Sequence, residues 1–239
     1  MRRLGLLAFL VLTVGLLAAP LASADTQTQL LFGATPYGFQ QLILTVGEGK
    51  VVIDAYSTGW WDSTGSHQAS NTNYAAGYCS ASDCGLAYLV NDFFAFDLAN
   101  LGGQHVSSAI LNVGNPPVGG YVNPNPTALY SVFDVSTPNG TLTADGSGQV
   151  GIYGDLGGGI LYGSYLSSAA DNGSQILISL DAAAVAAINA AASGDNQFAI
   201  GGTLEFVPEQ QVVPEPGSLM LLGSGLFGLA GVVRRRLSL

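Results

Sequence analysis

Asp92-Phe93-Phe94-Ala95-Phe96-Asp97 reads as a β-strand covered on both faces. A strand with one face in water alternates apolar and polar side chains. Here Phe93 to Phe96 are continuously apolar, which leaves no wet face. The segments around it carry the same signature at lower strength. Phe39 to Val46, Lys50 to Tyr56, Val106 to Val113 and Ala128 to Val135 are predicted strands, as are Ile160 to Leu166, Gln175 to Leu180 and Phe198 to Phe206. Turn residues separate them: Asn115-Pro116-Pro117, Asn123-Pro124-Asn125-Pro126, Pro138-Asn139-Gly140 and Asp171-Asn172-Gly173. Asp181 is placed to cap a helix over the Ala-rich run 182–192, with Ser193-Gly194 ending it. Three turns of mostly Ala are expected to lie across a sandwich end. These elements predict a mainly β fold over 25–208, a β-sandwich of jelly-roll type with one short Ala-rich helix.

Charge narrows the partners. The chain of 239 residues has 9% charged residues, 48% hydrophobic residues and a mean hydropathy of +0.38, so bulk disorder is excluded. Its six basic residues are Arg2, Arg3, Lys50, Arg234, Arg235 and Arg236. Without the two ends, Lys50 alone faces sixteen acidic residues. Nucleic-acid binding needs clustered Lys and Arg, and docking on anionic lipid needs them too; both classes are excluded for the body.

The two ends read as targeting segments. Arg2-Arg3, the apolar run Leu4 to Leu17 and the small-x-small triplet Ala22-Ser23-Ala24 form a signal peptide over 1–24, with Ala22 and Ala24 flanking the cleavage recognition. Signal peptidase is the partner this implies. At the other end a linker over 209–217 contains Val213-Pro214-Glu215-Pro216. Residues 218–239 follow as a membrane helix and an Arg-rich end. Ser218 to Val233 is uncharged, and Arg234-Arg235-Arg236 stops the run. At 1.5 Å per residue the helix reaches roughly 24 Å, short of the ~30 Å hydrocarbon core, so it spans with bilayer thinning or snorkelling arginines. The positive-inside rule puts the arginines in the cytoplasm and the body on the far side, where the signal peptide also sends it. The prolines keep Val213-Pro214-Glu215-Pro216 extended and unable to join the helix.

Pro214-Glu215-Pro216, a short Gly- and Leu-rich apolar helix and a terminal Arg cluster resemble, over 213–239, the PEP-CTERM sorting tail. The resemblance implies export by a Gram-negative, exopolysaccharide-making bacterium. It also implies removal of the anchor by exosortase, a membrane protease. The body resembles, more loosely, a domain type that such proteins carry. The resembling stretches include Gly59-Trp60-Trp61-Asp62-Ser63-Thr64-Gly65, Asn71-Thr72-Asn73-Tyr74-Ala75-Ala76-Gly77 and Leu129-Tyr130-Ser131-Val132-Phe133-Asp134-Val135. That likeness supports the fold and implies no chemistry.

Few constellations in the body carry chemistry. Cys79 and Cys84, an even count in an oxidising compartment, predict a disulfide. Cys-x4-Cys is not the spacing of a thioredoxin-like site. His67 and His105 are the only histidines, and no spacing links them to the cysteines as a metal site. Asp171-Asn172-Gly173-Ser174 lacks the full oxygen-ligand spacing of a calcium loop. Asp62, Ser66 and His67 are neighbours without a Gly-x-Ser-x-Gly motif, a weak basis for a triad. Gly146 to Gly151 fits G-x-G-x-x-G with no helix expected after it, and reads as a turn. Trp60 and Trp61, followed by Asp62, Ser63, His67 and Gln68, invite a glycan-stacking reading; alternation points one ring inward and the other outward. The whole predicts an exported, non-catalytic protein of the cell surface or extracellular matrix, without a cofactor or metal and associated with exopolysaccharide. The alternative is a carbohydrate-binding module, and a glycan-active enzyme ranks behind both.

Overall fold

The expected doubly covered strand is the centre of the molecule. In the computed structural model, which describes residues 27–33 and 40–206, it runs as β6 (Tyr88–Asp97). The expected signal peptide over 1–24, linker over 209–217 and membrane helix with Arg-rich end over 218–239 lie outside the described residues. Along one edge β6 pairs through Asp92–Asp97 with β12 (Gln197–Leu204). Along the other it pairs with β4 (Ser57–Asp62). Val90 is partnered by Asp62 of β4 and by Gly77 of β5 (Tyr74–Cys79), which pairs with β6 at Tyr88 to Val90 on the edge opposite β4. Beyond β5 the sheet continues through β1 (Gln29–Gly33) and the short β8 (Tyr121–Val122), and beyond β12 through β9 (Thr127–Asp134) and β10 (Leu161–Ser168). A second sheet holds β11 (Gln175–Leu180), β7 (Val106–Gly114), β2 (Gln40–Val46) and β3 (Gly49–Asp54), in that order. The fold is therefore mainly β, in sheets of eight and four strands, with antiparallel ladders throughout the described strands.

Successive β6 side chains point to opposite sides, and each side has its own core. Phe94 and Phe96 join Leu42, Leu111, Val132, Ile178 and Ile200 in the main core shared by the two sheets. Phe93 points the other way, into a smaller core with Trp61, Leu142, Ile152 and Leu156. That second core is roofed by α2 (Asn139–Leu142) and α3 (Val150–Leu156), which follow α1 (Ala81–Cys84) in the chain.

The Ala-rich helix is present as α4 (Ala182–Ala192). Asp181 accepts a hydrogen bond from the Ala184 amide at 2.9 Å, as an N-cap does. Ala184, Ile188 and Ala192, four residues apart, form its buried stripe in the main core. So little apolar area holds a helix loosely. Asn189 supplies the rest: it donates to the Val106 carbonyl at 2.9 Å and accepts from the Val106 amide at 2.8 Å.

Two sequence readings need correction. Strands β1, β4, β5 and β8 were not among those predicted from apolar runs. β5 reads Tyr-Ala-Ala-Gly-Tyr-Cys, and its small residues are fitted to close neighbours: Gly77, at φ +123°, leaves no room for a Cβ against the Gln29 carbonyl. Gly146 to Gly151 is followed by a helix after all, since α3 begins at Val150. Burial of Ile152 and Leu156 on Trp61 and Phe93 overrides the poor helix propensity of a segment containing Gly151 and Gly154.

Candidate functional site

β4 presents its two tryptophans to opposite sides, as the strand period requires. Trp61 is wholly buried in the smaller core, and its indole Nε1 donates to the Leu142 carbonyl at 3.0 Å. It has no face to offer a sugar, which corrects the reading of Trp61 as a glycan contact. Trp60 is half-buried on the other side, opposite Asp92 in register. Its ring lies nearly parallel to that of Tyr88, with centroids 6.0 Å apart and planes 11° from one another. Tyr88 was not foreseen, because nothing in the sequence pairs position 88 with position 60.

Asp62 lies on the same strand two residues beyond Trp60, hence on the same side. Its Oδ1 accepts from the Thr64 amide at 2.8 Å, the Thr64 hydroxyl at 2.6 Å and the Ser66 amide at 3.0 Å. These bonds fold 62–66 into a tight turn. Burial raises the Tyr88 phenol pKa, and the nearby Asp62 charge adds to it. Trp60, Tyr88 and Asp62 thus form a small aromatic surface with an acidic rim. Ser63 is half-buried and Gln68 exposed nearby in the chain.

His67 does not belong to that surface. It is buried between Trp61 and Phe93, with ring centroids at 5.1 Å and 5.3 Å. Its Nδ1 lies 2.8 Å from the Trp60 carbonyl, so a backbone oxygen orients the ring, not Asp62. Burial lowers its pKa, against the opposing pull of that carbonyl and of Asp145. Ser66 meets Asp62 through its backbone amide, so Asp62, Ser66 and His67 are not arranged as acid, nucleophile and base.

Cys79 and Cys84 form the expected disulfide, with Cα atoms 6.1 Å apart. The bridge closes α1 onto the end of β5. Beside it Thr28 bonds to Ser80 at 2.9 Å and to Asp83, which ties the start of the described chain to the same turn. Asp171 accepts from Tyr165 Oη at 2.8 Å and from the Ser168 amide at 2.7 Å, so its carboxylate serves as a cap. Among the described residues no group of three or more His, Cys, Asp or Glu is assembled, and no helix is long and apolar enough to cross a membrane.

One buried group escaped the sequence reading. Asp92, at the start of the decisive hexapeptide, is fully buried and accepts a hydrogen bond from Tyr130 Oη at 2.7 Å. An acid flanking an aromatic run reads as a strand end in water; only the pairing of β6 on both edges puts it inside.

Val213, Pro214, Glu215, Pro216 and Arg234 to Arg236 lie outside the described residues, as do Ala22 and Ala24. Residues 212–236 match the family model of the PEP-CTERM protein-sorting motif, which overlaps the expected segment 213–239. No curated protein and no solved structure matches the chain. The motif is that of exported proteins sorted by exosortase to the cell surface.

Proposed function

We propose that this chain is a non-catalytic surface or extracellular-matrix protein, held in the inner membrane transiently by its C-terminal segment and associated with exopolysaccharide after release. The observation that carries this reading is the sorting motif over 212–236. Signal peptidase acts at Ala22-Ser23-Ala24, and the sorting protease reads Val213-Pro214-Glu215-Pro216 as an extended strand. Arg234, Arg235 and Arg236 hold the apolar segment in place until then. The body, 25–208, is read as an independently folding unit, and its two antiparallel sheets as a sandwich of the jelly-roll type. Replacing Pro214 and Glu215 with Ala tests the sorting step. Export proceeds, because the signal peptide acts first. The variant stays full-length in the membrane fraction, while the wild-type protein appears shortened at the surface. Identical fractionation of the two would reduce Pro-Glu-Pro to a linker and make the anchor permanent.

A second reading, a carbohydrate-binding module, is favoured by the parallel Trp60 and Tyr88 rings beside Asp62. Aromatic faces pack on the apolar faces of sugars, and a carboxylate accepts from sugar hydroxyls or pairs with an amino group. Lys50 is the lone Lys or Arg among the described residues, so the acidic body repels uronate-rich polymers. The ligand class is therefore neutral or amino-bearing polysaccharide. Glycan-array binding that is lost in Trp60→Ala and Tyr88→Ala supports this module; binding unchanged in both variants removes it.

A further inference from the structure

Asp92 is the one fully buried carboxyl group among the described residues. Its Oδ1 accepts from Tyr130 Oη at 2.7 Å, and its Oδ2 has no hydrogen-bond partner among them. The site is closed by backbone. Gly202 lies opposite Asp92 in the β6–β12 ladder, and a Cβ there would overlap both Tyr130 Oη and Asp92 Oδ1.

Among the described residues no cation reaches this place. Lys50 is exposed on β3, the strand of the second sheet that packs on β6. Asp54 on β3 is exposed too. The titratable neighbours are two phenols, Tyr130 from β9 and Tyr74 from β5, both buried. Tyr74 is itself occupied, donating to the Gly114 carbonyl at 2.9 Å or to Asn115 Oδ1 at 2.7 Å. β12 brings no titratable side chain, and β4 brings Trp60 opposite Asp92, with its acid, Asp62, at the turn. On the far face of β6, α3 offers Asp155, which is bonded to Ser136 and Thr137. A carboxylate in this setting is a buried charge with one hydrogen bond and no counter-ion, which costs several kcal/mol. A neutral acid leaves only one polar oxygen unmatched, a much smaller penalty.

We propose that Asp92 is carried between the sheets as the neutral acid, and that its ionisation loosens the packing of β6, β9 and β12 as pH rises. Burial pushes the Asp92 carboxyl well above the ordinary carboxylate range, against the opposing pull of the Tyr130 hydrogen bond. Because the folded-state value is raised, the stability linked to Asp92 is full below the unfolded value and is lost as pH rises toward the folded one. Each unit of that difference lowers the folding equilibrium constant about tenfold by the time both states are ionised.

The test uses the purified full-length chain. Difference infrared spectra of the wild type minus Asp92→Asn at neutral pH should contain the carbonyl stretch of a protonated carboxylic acid. Denaturant unfolding from about pH 4 to about pH 8 should show the wild type losing stability relative to Asp92→Asn, because the amide keeps the Tyr130 bond and cannot ionise. A carboxylate band at neutral pH, or parallel stability profiles for the two proteins, overturns the proposal. If Asp92→Asn does not fold, the wild type alone decides. A protonated-acid band at neutral pH in the chain cut back to residues 25–208, where Asp92 is the one fully buried carboxyl among the described residues, supports the proposal, and its absence is decisive against Asp92 as a neutral acid.

Discussion

Trp61 Nε1 donates to the carbonyl oxygen of Leu142 at 3.0 Å, joining β4 to the last residue of α2 across 81 positions of sequence. The bond satisfies the indole, which is wholly buried, and one of the carbonyls that the end of a helix leaves open. It also fixes where the α2–α3 segment sits on Phe93 and Leu156.

Trp61→Phe should therefore cost about 2 kcal/mol or more, from a cavity and an unpaired Leu142 carbonyl together. Trp60→Ala, on the half-buried side of the same strand, should cost under about 1 kcal/mol. Urea unfolding of the two variants checks the contrast. Equal losses would mean that the smaller core does not depend on Trp61.

Asn189→Ala should cost about 2 kcal/mol, because it leaves both backbone groups of Val106 without their partner. Asn189→Asp keeps the acceptor for the Val106 amide and sets a carboxylate against the Val106 carbonyl, so it should not rescue. Hydrogen exchange at the Val106 amide reads the loss directly; unchanged protection in Asn189→Ala would show that α4 is held by its apolar stripe alone.

His67 should make the domain weaker in acid. Burial lowers its folded-state pKa, so the unfolded chain binds the proton first and stability falls as pH drops below about 6.5. Asp155 adds to the loss further down. Burial raises its pKa, but hydrogen bonds from Thr137 and Ser136 outweigh that and leave it lowered, so its contribution disappears as pH falls below the ordinary Asp range. Following the His67 ring protons by NMR through an acid titration checks the first part. Titration of His67 at or above 6.5 in the folded protein would refute it.

Breaking the Cys79–Cys84 bridge should cost about 2 kcal/mol, the loop-closure entropy of so short a ring. Mass spectrometry of unreduced protein should find no free thiol. Cys84→Ala with Cys79→Ala should free α1 and weaken protection at the Ser80 amide, which bonds to Thr28 at 3.0 Å. Two free thiols in exported wild-type protein would remove the bridge as a stabilising element.

β6 was legible because both its faces are apolar, and its short length and three phenylalanines favour a doubly covered strand over a buried helix. The opposite facing of Trp60 and Trp61 followed from the strand period alone. β5 was not legible: Ala75, Ala76 and Gly77 are small because neighbouring backbone is close, and closeness is a property of the assembled sheet. α3 was hidden for a related reason, since Ile152 and Leu156 are a helical pair only once Trp61 and Phe93 lie beneath them. The site divides likewise. Trp60 was visible by its type, whereas Tyr88 and Asp92 acquire their meaning from the ladder partners of β6.

The described chain ends on a strand that is not at an edge. β12 is bonded to β6 on one side and to β9 on the other, and the Glu205 amide still reaches the Leu129 carbonyl at 2.8 Å. Phe206 then rests on Tyr78, with ring centroids 4.8 Å apart, and Tyr78 is the ladder partner of Gln29. The way in and the way out of the domain are thus neighbours. Force applied at Phe206 enters an interior strand clamped from two directions. It must break two ladders to pull β12 free, where an edge strand would peel from one. The described body is therefore harder to unravel from its Phe206 end than one that finishes on an edge strand.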